Sequence, residues 1–292
     1  MIFIRLLRLS GLWLRFESLL KKDNNIKSVV LVYVPNHAVR NIGDEFWLRT
    51  LTKFSKRGYV TASVNYRLSN ILTFFLSTNA QIDAVLKSLA DARAAIRFFK
   101  DSYINGNPYG IDTSAIFIGG YSAGGVIAIH HAYIDNEQEL PQNILSRLSS
   151  IGGTLEGDAG NFGFSSKING VINFAGGIHD LGWINSAEEP IVSVHGDLDL
   201  VVNYNCSPAL NNPALLNLCG SNEIHMKANN QGINNQLLEL NFTNHEWAQF
   251  GTINPKFVQG LNFQEISFTI YYPVTNHLAL IIISVSYTHL TL

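Results

Sequence analysis

The chain has little with which to hold nucleic acid, metal or a membrane. Its 292 residues carry 20 basic and 22 acidic side chains with no basic block among them, so the charge footprint of a nucleic-acid partner is missing. No Cys/His cluster has zinc spacing and no glycine loop has the Walker pattern, so neither metal nor cofactor is expected. Two cysteines, Cys206 and Cys219, are too few for a disulfide scaffold. They either bridge a short loop, which fits an oxidising compartment such as the periplasm or the exterior, or stand as free thiols. Long apolar runs are lacking too. Residues 1–20 are rich in Leu, Ile and Phe but interrupted by Arg5, Arg8 and Arg15. That leaves neither a clear signal peptide nor a membrane span, and Leu278 to Val285 is too short for one. No repeat or linker divides the chain, and nothing in it reports an oligomeric state.

What is present is an alternation of apolar, β-branched segments with helical ones. The pattern predicts an α/β fold, a mostly parallel central sheet with helices on both faces. Strands are expected at Ser28–Val34, Val60–Tyr66, Ala115–Gly119, Gly170–Phe174, Pro190–Val194 and Gln236–Phe242. Helices are expected at Phe46–Lys56, Ile82–Tyr103 and Ser122–Tyr133. One domain over 28–275 follows, with 140–167 as an excursion or cap above the carboxyl edge of the sheet. Residues 1–27 stay poorly defined. Val285 to Leu292 resembles a translated sequencing adapter and is set aside from the fold.

One heptapeptide carries chemistry. Gly119 to Gly125 reads Gly-Gly-Tyr-Ser-Ala-Gly-Gly between a strand and a helix. This puts Ser122 in a G-x-S-x-G elbow, where small neighbours let the serine sit on a strained turn with its hydroxyl exposed. Such a serine needs a base, and the base an orienting acid. Asp199 follows the strand Pro190–Val194, with Asp197 as its rival. His245 follows the strand Gln236–Phe242, with His225 as the runner-up. His195 is expected to shape the acid loop, and His130 and His131 to serve packing or surface. Two N–H donors must face the developing oxyanion. Ala123 supplies one, and the loop Pro35–Val39 the other, at Asn36 or His37. Phe162, Phe164 and Trp183 are candidates for a pocket lining or for core.

The stretches Arg57–Leu68, Ile116–Gly125 and Pro190–Asp199 resemble the α/β-hydrolase superfamily, in its carboxylesterase and lipase-like group that includes feruloyl and acetyl-xylan esterases. The likeness spans about Ser28 to Phe250. It implies Ser122 as nucleophile, Asp199 as acid and His245 as base, acting on a small-molecule ester through an acyl-enzyme without a cofactor. The family's His-Gly-Gly-x-Phe motif would fall at Pro35–Val39, where this chain has no glycine pair. That departure leaves a non-catalytic binding protein as the rival reading, beside a serine peptidase on the same fold.

Overall fold

The computed structural model describes residues 2–9, 12–19, 29–32, 54, 59–64, 66–67, 69–186, 188–248, 256, 259–260 and 280–285. Within the stretch expected to be poorly defined, β1 (Ile2–Leu9) and β2 (Leu12–Leu19) pair as an antiparallel hairpin, and β2 lies against β3 (Val29–Val32). After β4 (Val60–Val64) come α1 (Ile71–Leu76) and the long α2 (Thr78–Ile104). Then β5 (Ile116–Tyr121) leads into α3 (Ala123–Tyr133) and the short α4 (Gln142–Leu145). The chain continues through β6 (Val171–Phe174), β7 (Ile191–Gly196), the small strands β8 (Cys206–Pro208) and β9 (Asn217–Cys219), α5 (Ser221–Gln231), β10 (Asn235–Leu240) and β11 (Leu280–Val285).

Seven strands form one sheet in the order β10-β7-β6-β5-β11-β4-β3, and each neighbouring pair is parallel. Every residue of β5, β6 and β7 is buried, which is why these strands read as near-continuous apolar runs. The sheet reaches past the expected boundary at 275. Leu280–Val285, an apolar and β-branched run suited to an interior strand, lies between β4 and β5. Of the stretch 285–292 only Val285 is described. The helix expected at 46–56 lies outside the described residues apart from Phe54.

The 140–167 excursion does not roof the carboxyl edge along its length. Leu140 and Ile144 stay near the start of α2, and the rest descends beside that helix. Ion pairs set its course: Arg147 with Asp83 at 2.6 Å, Arg67 with Asp158 at 2.7 Å, and Arg97 with Glu156. Arg97 also donates to the Ala159 carbonyl at 2.7 Å, and Lys100 to that of Lys167 at 2.6 Å. The descent follows from topology, because parallel β6 must start level with the beginning of β5.

The cysteines form a disulfide, Cys206–Cys219, across the paired strands β8 and β9. Neither these strands nor α1 and α5 stand out in the sequence. They are short or polar, and tertiary contacts rather than local propensity hold them.

Candidate active site

The strand β5 ends at Tyr121 and α3 begins at Ala123, so the whole reversal falls on Ser122. Its backbone takes φ 56° and ψ −123°, a conformation that side chains resist and that surrounding structure must enforce. The enforcement comes from glycine. A Cβ on Gly119 would lie 2.8 Å from the Ile172 carbonyl oxygen. One on Gly125 would lie 2.9 Å from the Cα of Gly176. The first turn of α3 thus packs backbone to backbone on the loop after β6. Serine commonly caps a helix with its hydroxyl, yet the Ser122 side chain makes no cap bond. Its Oγ lies 2.8 Å from His245 Nε2.

His245 follows β10, and Asp199 follows the neighbouring strand β7. Their loops are stitched together. The Asp197 carboxylate accepts the Thr243 N–H at 3.0 Å, and the Leu198 N–H donates to the Thr243 carbonyl at 3.0 Å. Gly196 permits the approach, since a Cβ there would lie 2.2 Å from that same carbonyl oxygen. The result is a 2.5 Å hydrogen bond from His245 Nδ1 to Asp199 Oδ2. A carboxylate only accepts, so Nδ1 carries the proton and Nε2 is left to accept from Ser122. Tyr121 clamps the ring from a third side. Its hydroxyl donates to the His245 carbonyl at 2.6 Å, and its ring stacks on the imidazole at 5.1 Å.

Asp199 is buried and fully engaged. Oδ1 accepts the N–H groups of Val201 and Val202 at 2.9 and 3.0 Å. Oδ2 takes His245 and lies 3.2 Å from Nε2 of His195. Burial alone would push this carboxyl up, but the hydrogen bonds from His195 and His245 outweigh it and hold it at about 2. His195 is itself placed from behind. Its Nε2 donates to the Val202 carbonyl at 2.8 Å, so its Nδ1 accepts from the Ser221 hydroxyl at 2.8 Å. Ser221 and Ser193 both receive the Asn173 side-chain amide, whose oxygen accepts the Gly176 N–H. One buried polar chain therefore runs from Asp199 to the loop on which Gly125 packs.

The structure brings Ser122, His245 and Asp199 together and leaves their rivals elsewhere. Asp197 holds the His245 loop rather than the ring. His225 lies on α5 and accepts from Asn229. His130 and His131 are buried in α3, where burial holds them neutral at about 4 and about 3. Ala123 is the first residue of α3, where a backbone N–H has no acceptor within the helix. Asn36 and His37 lie outside the described residues. Sequence reasoning missed Tyr121, Thr243, Ser221 and Asn173. Tyr121 alone carried a signal, as the residue before the elbow serine. No group of three His, Cys, Asp or Glu able to hold a metal occurs among the described residues. No helix among them is long and apolar enough to cross a membrane.

A family model described as BD-FAE matches residues 20–181. The chain belongs to the BD-FAE family. Membership makes it an α/β-hydrolase-type carboxylic ester hydrolase. The BD-FAE match includes Ser122 and ends before Asp199 and His245. Solved structures of esterase 2 from Thermogutta terrifontis are similar over the whole α/β-hydrolase fold. The native form has a TM-score of 0.61 at 16% identity, covering 93% of this chain and 92% of that one. The propionate-bound form has 0.62 at 16%, covering 93% and 94%. The form phosphorylated by paraoxon has 0.60 at 16%, covering 93% and 94%. At such identity the likeness speaks for the fold alone. No curated protein matches the chain.

Proposed function

We propose that this BD-FAE protein hydrolyses small carboxylic esters through an acyl-enzyme on Ser122, with His245 as general base and acid and Asp199 as the residue that orients it. The observation that carries the reading is the hydrogen-bonded chain Ser122–His245–Asp199 at 2.8 and 2.5 Å. Ser122 Oγ attacks the ester carbonyl carbon while its proton passes to His245 Nε2. The Ala123 N–H, at the start of α3, donates to the oxyanion that forms. The tetrahedral species collapses, the carbon–oxygen bond to the alcohol breaks, and His245 returns its proton to the leaving oxygen. Water then attacks the acyl-enzyme by the same steps in reverse. Asp199, ionised above about pH 2, keeps the Nδ1–H tautomer and stabilises the imidazolium.

Hydrolysis of p-nitrophenyl acetate by the protein and by Ser122→Ala tests this directly. The substitution is expected to lower kcat by roughly three orders of magnitude or more. Equal rates would overturn the assignment. Esterase 2 of T. terrifontis is phosphorylated by paraoxon. The same reagent is expected to add a diethyl phosphoryl group to Ser122 here, read by peptide mass.

A further inference from the structure

Tyr121 closes β5 directly before Ser122, and its side chain is buried. It packs into the short turn His245–Ala248, whose first residue lies 124 positions ahead. Its hydroxyl donates to the His245 carbonyl at 2.6 Å. Its ring lies against the His245 imidazole, with centroids 5.1 Å apart and planes 26° from parallel. Trp247 of the same turn sets its own ring nearly perpendicular to that of Tyr121, at 6.2 Å and 82°. The residue before Ser122 thus holds the His245 turn by a hydrogen bond at its tip and by ring contacts along its body.

The tip and the ring face do different things. The hydrogen bond fixes where the His245 backbone stands, whatever the proton on the ring is doing. The ring face tells the two protonation states apart. An aromatic ring is negative on its face and positive at its edge, so a stacked ring attracts an imidazolium more than a neutral imidazole. The 5.1 Å separation falls inside the range of about 6 Å over which a cation feels a ring face. Tyr121 is 3% exposed and His245 5%, so little water screens the attraction. Charge reaches His245 otherwise from Asp199 at Nδ1, from His195 of β7 on the same carboxylate oxygen, and from Glu246, the next residue of the turn.

Resting on the acyl-enzyme reading above, we infer that Tyr121 is a positioning residue whose ring face stabilises the imidazolium that His245 becomes as Ser122 loses its proton, while its hydroxyl keeps the imidazole against that face. No bond forms to Tyr121 and no proton leaves it. The proton passes from Ser122 Oγ to His245 Nε2, and the positive charge spreads over the imidazole that the phenol ring faces. The attraction grows as the proton arrives, so it lowers the barrier instead of only holding the resting state.

The test measures hydrolysis of p-nitrophenyl acetate across pH by Tyr121→Phe, by Tyr121→Leu, and by proteins carrying phenylalanine with progressively more ring fluorine at position 121. Fluorine drains the ring face of negative charge and nearly keeps its shape, so that series stays readable if Tyr121→Leu fails to fold. Tyr121→Phe keeps the face, and its kcat should stay within about threefold of the protein's, with the acid limb of the kcat/KM profile in place. Tyr121→Leu should lower kcat by about tenfold with KM unchanged. Without the face the imidazolium forms less readily, so the acid limb should move to lower pH, by about one unit. Along the fluorine series kcat should fall steadily from the Tyr121→Phe value, and the acid limb should follow. A flat fluorine series with an unmoved limb would overturn the inference and leave Ser122 and His245 in their roles. A folded Tyr121→Leu that loses activity with a raised KM and an unmoved limb would also overturn it, because displacement of the turn alone produces that result. If Ser122→Ala is as active as the protein, the acyl-enzyme reading itself fails.

Discussion

On one side of Ser122 lie the loops after β7 and β10, joined where Asp197 and Leu198 meet Thr243 and where Asp199 meets His245. Farther along α3, between it, α2 and the β8–β9 hairpin, lies a cavity lined almost wholly by hydrocarbon. Under the proposed function, the contrast follows from what each region must hold in place. A proton passes only along a donor and acceptor held within tenths of an ångström, and Asp199 meets four donors to hold its place. Apolar packing has no direction to keep, so neutral side chains suffice around the cavity. The first region should break sharply under small changes, and the second should tolerate them.

The largest effect is expected from Asp199→Asn. It reverses the tautomer of His245 and should lower kcat by about 10⁴ with little change in the fold. It also carries a signature in pH. The Asp199 carboxyl is depressed to about 2 from an ordinary 3.8. Its contribution to stability is therefore complete above pH 3.8 and lost as pH falls through 2. Acid titration of unfolding should show the protein losing its advantage over Asp199→Asn within that window.

Gly196→Ala ranks next. The new methyl would meet the Thr243 carbonyl, which is backbone and cannot swing away. Parting the two loops by even an ångström should cost about 10² in kcat/KM and about 1–3 kcal/mol of stability. An unchanged chemical-denaturation midpoint would show that the loops have more slack than their stitching implies.

A smaller change is expected behind the acid. His195→Leu removes a donor from Asp199 and leaves Ser221 without its acceptor. Asp199 should titrate higher and kcat should fall by about tenfold, with KM unchanged, because His195 touches no substrate. His195→Gln keeps an N–H and should recover part of the loss. Comparable loss in both, with KM altered, would mean that the loop has merely collapsed.

The smallest effect on chemistry should follow the double change Cys206→Ser and Cys219→Ser. Opening a loop of this size costs about 2–3 kcal/mol, read as a lower melting temperature. Acetyl turnover should stay within about threefold, since the disulfide lies across β8 and β9 and takes no part in the Ser122–His245–Asp199 chain. If acetyl turnover falls as far as in His195→Leu, the two sides are not separable.

How much could be read in advance differs along the chain. Ser122 was legible because its elbow confines glycines, strand and helix to seven adjacent residues. Asp199 and His245 were legible as loop residues after strands, in the chain order that the resemblance implies. Asp197 remained a rival because two aspartates two residues apart share every local property. They part only where Thr243 arrives to occupy one of them. Neither β8–β9 nor the pairing of its cysteines was decided by sequence, because three-residue strands have no period to detect. The strand Leu280–Val285 was read as apolar, and its place between β4 and β5 had no local signal.

The sequence by itself determined the elbow serine, the alternating α/β pattern and the chemical class, because strained turns and buried parallel strands demand particular residues at short spacing. The tertiary structure decided which aspartate faces His245, that Tyr121 clamps the ring, that His195 and Asn173 stand behind the acid, and that a leucine wall bounds a small cavity. Each of these depends on segments tens of residues apart meeting in space. Such meetings are set by sheet order and by glycine-permitted backbone approach, which no stretch of the chain records alone.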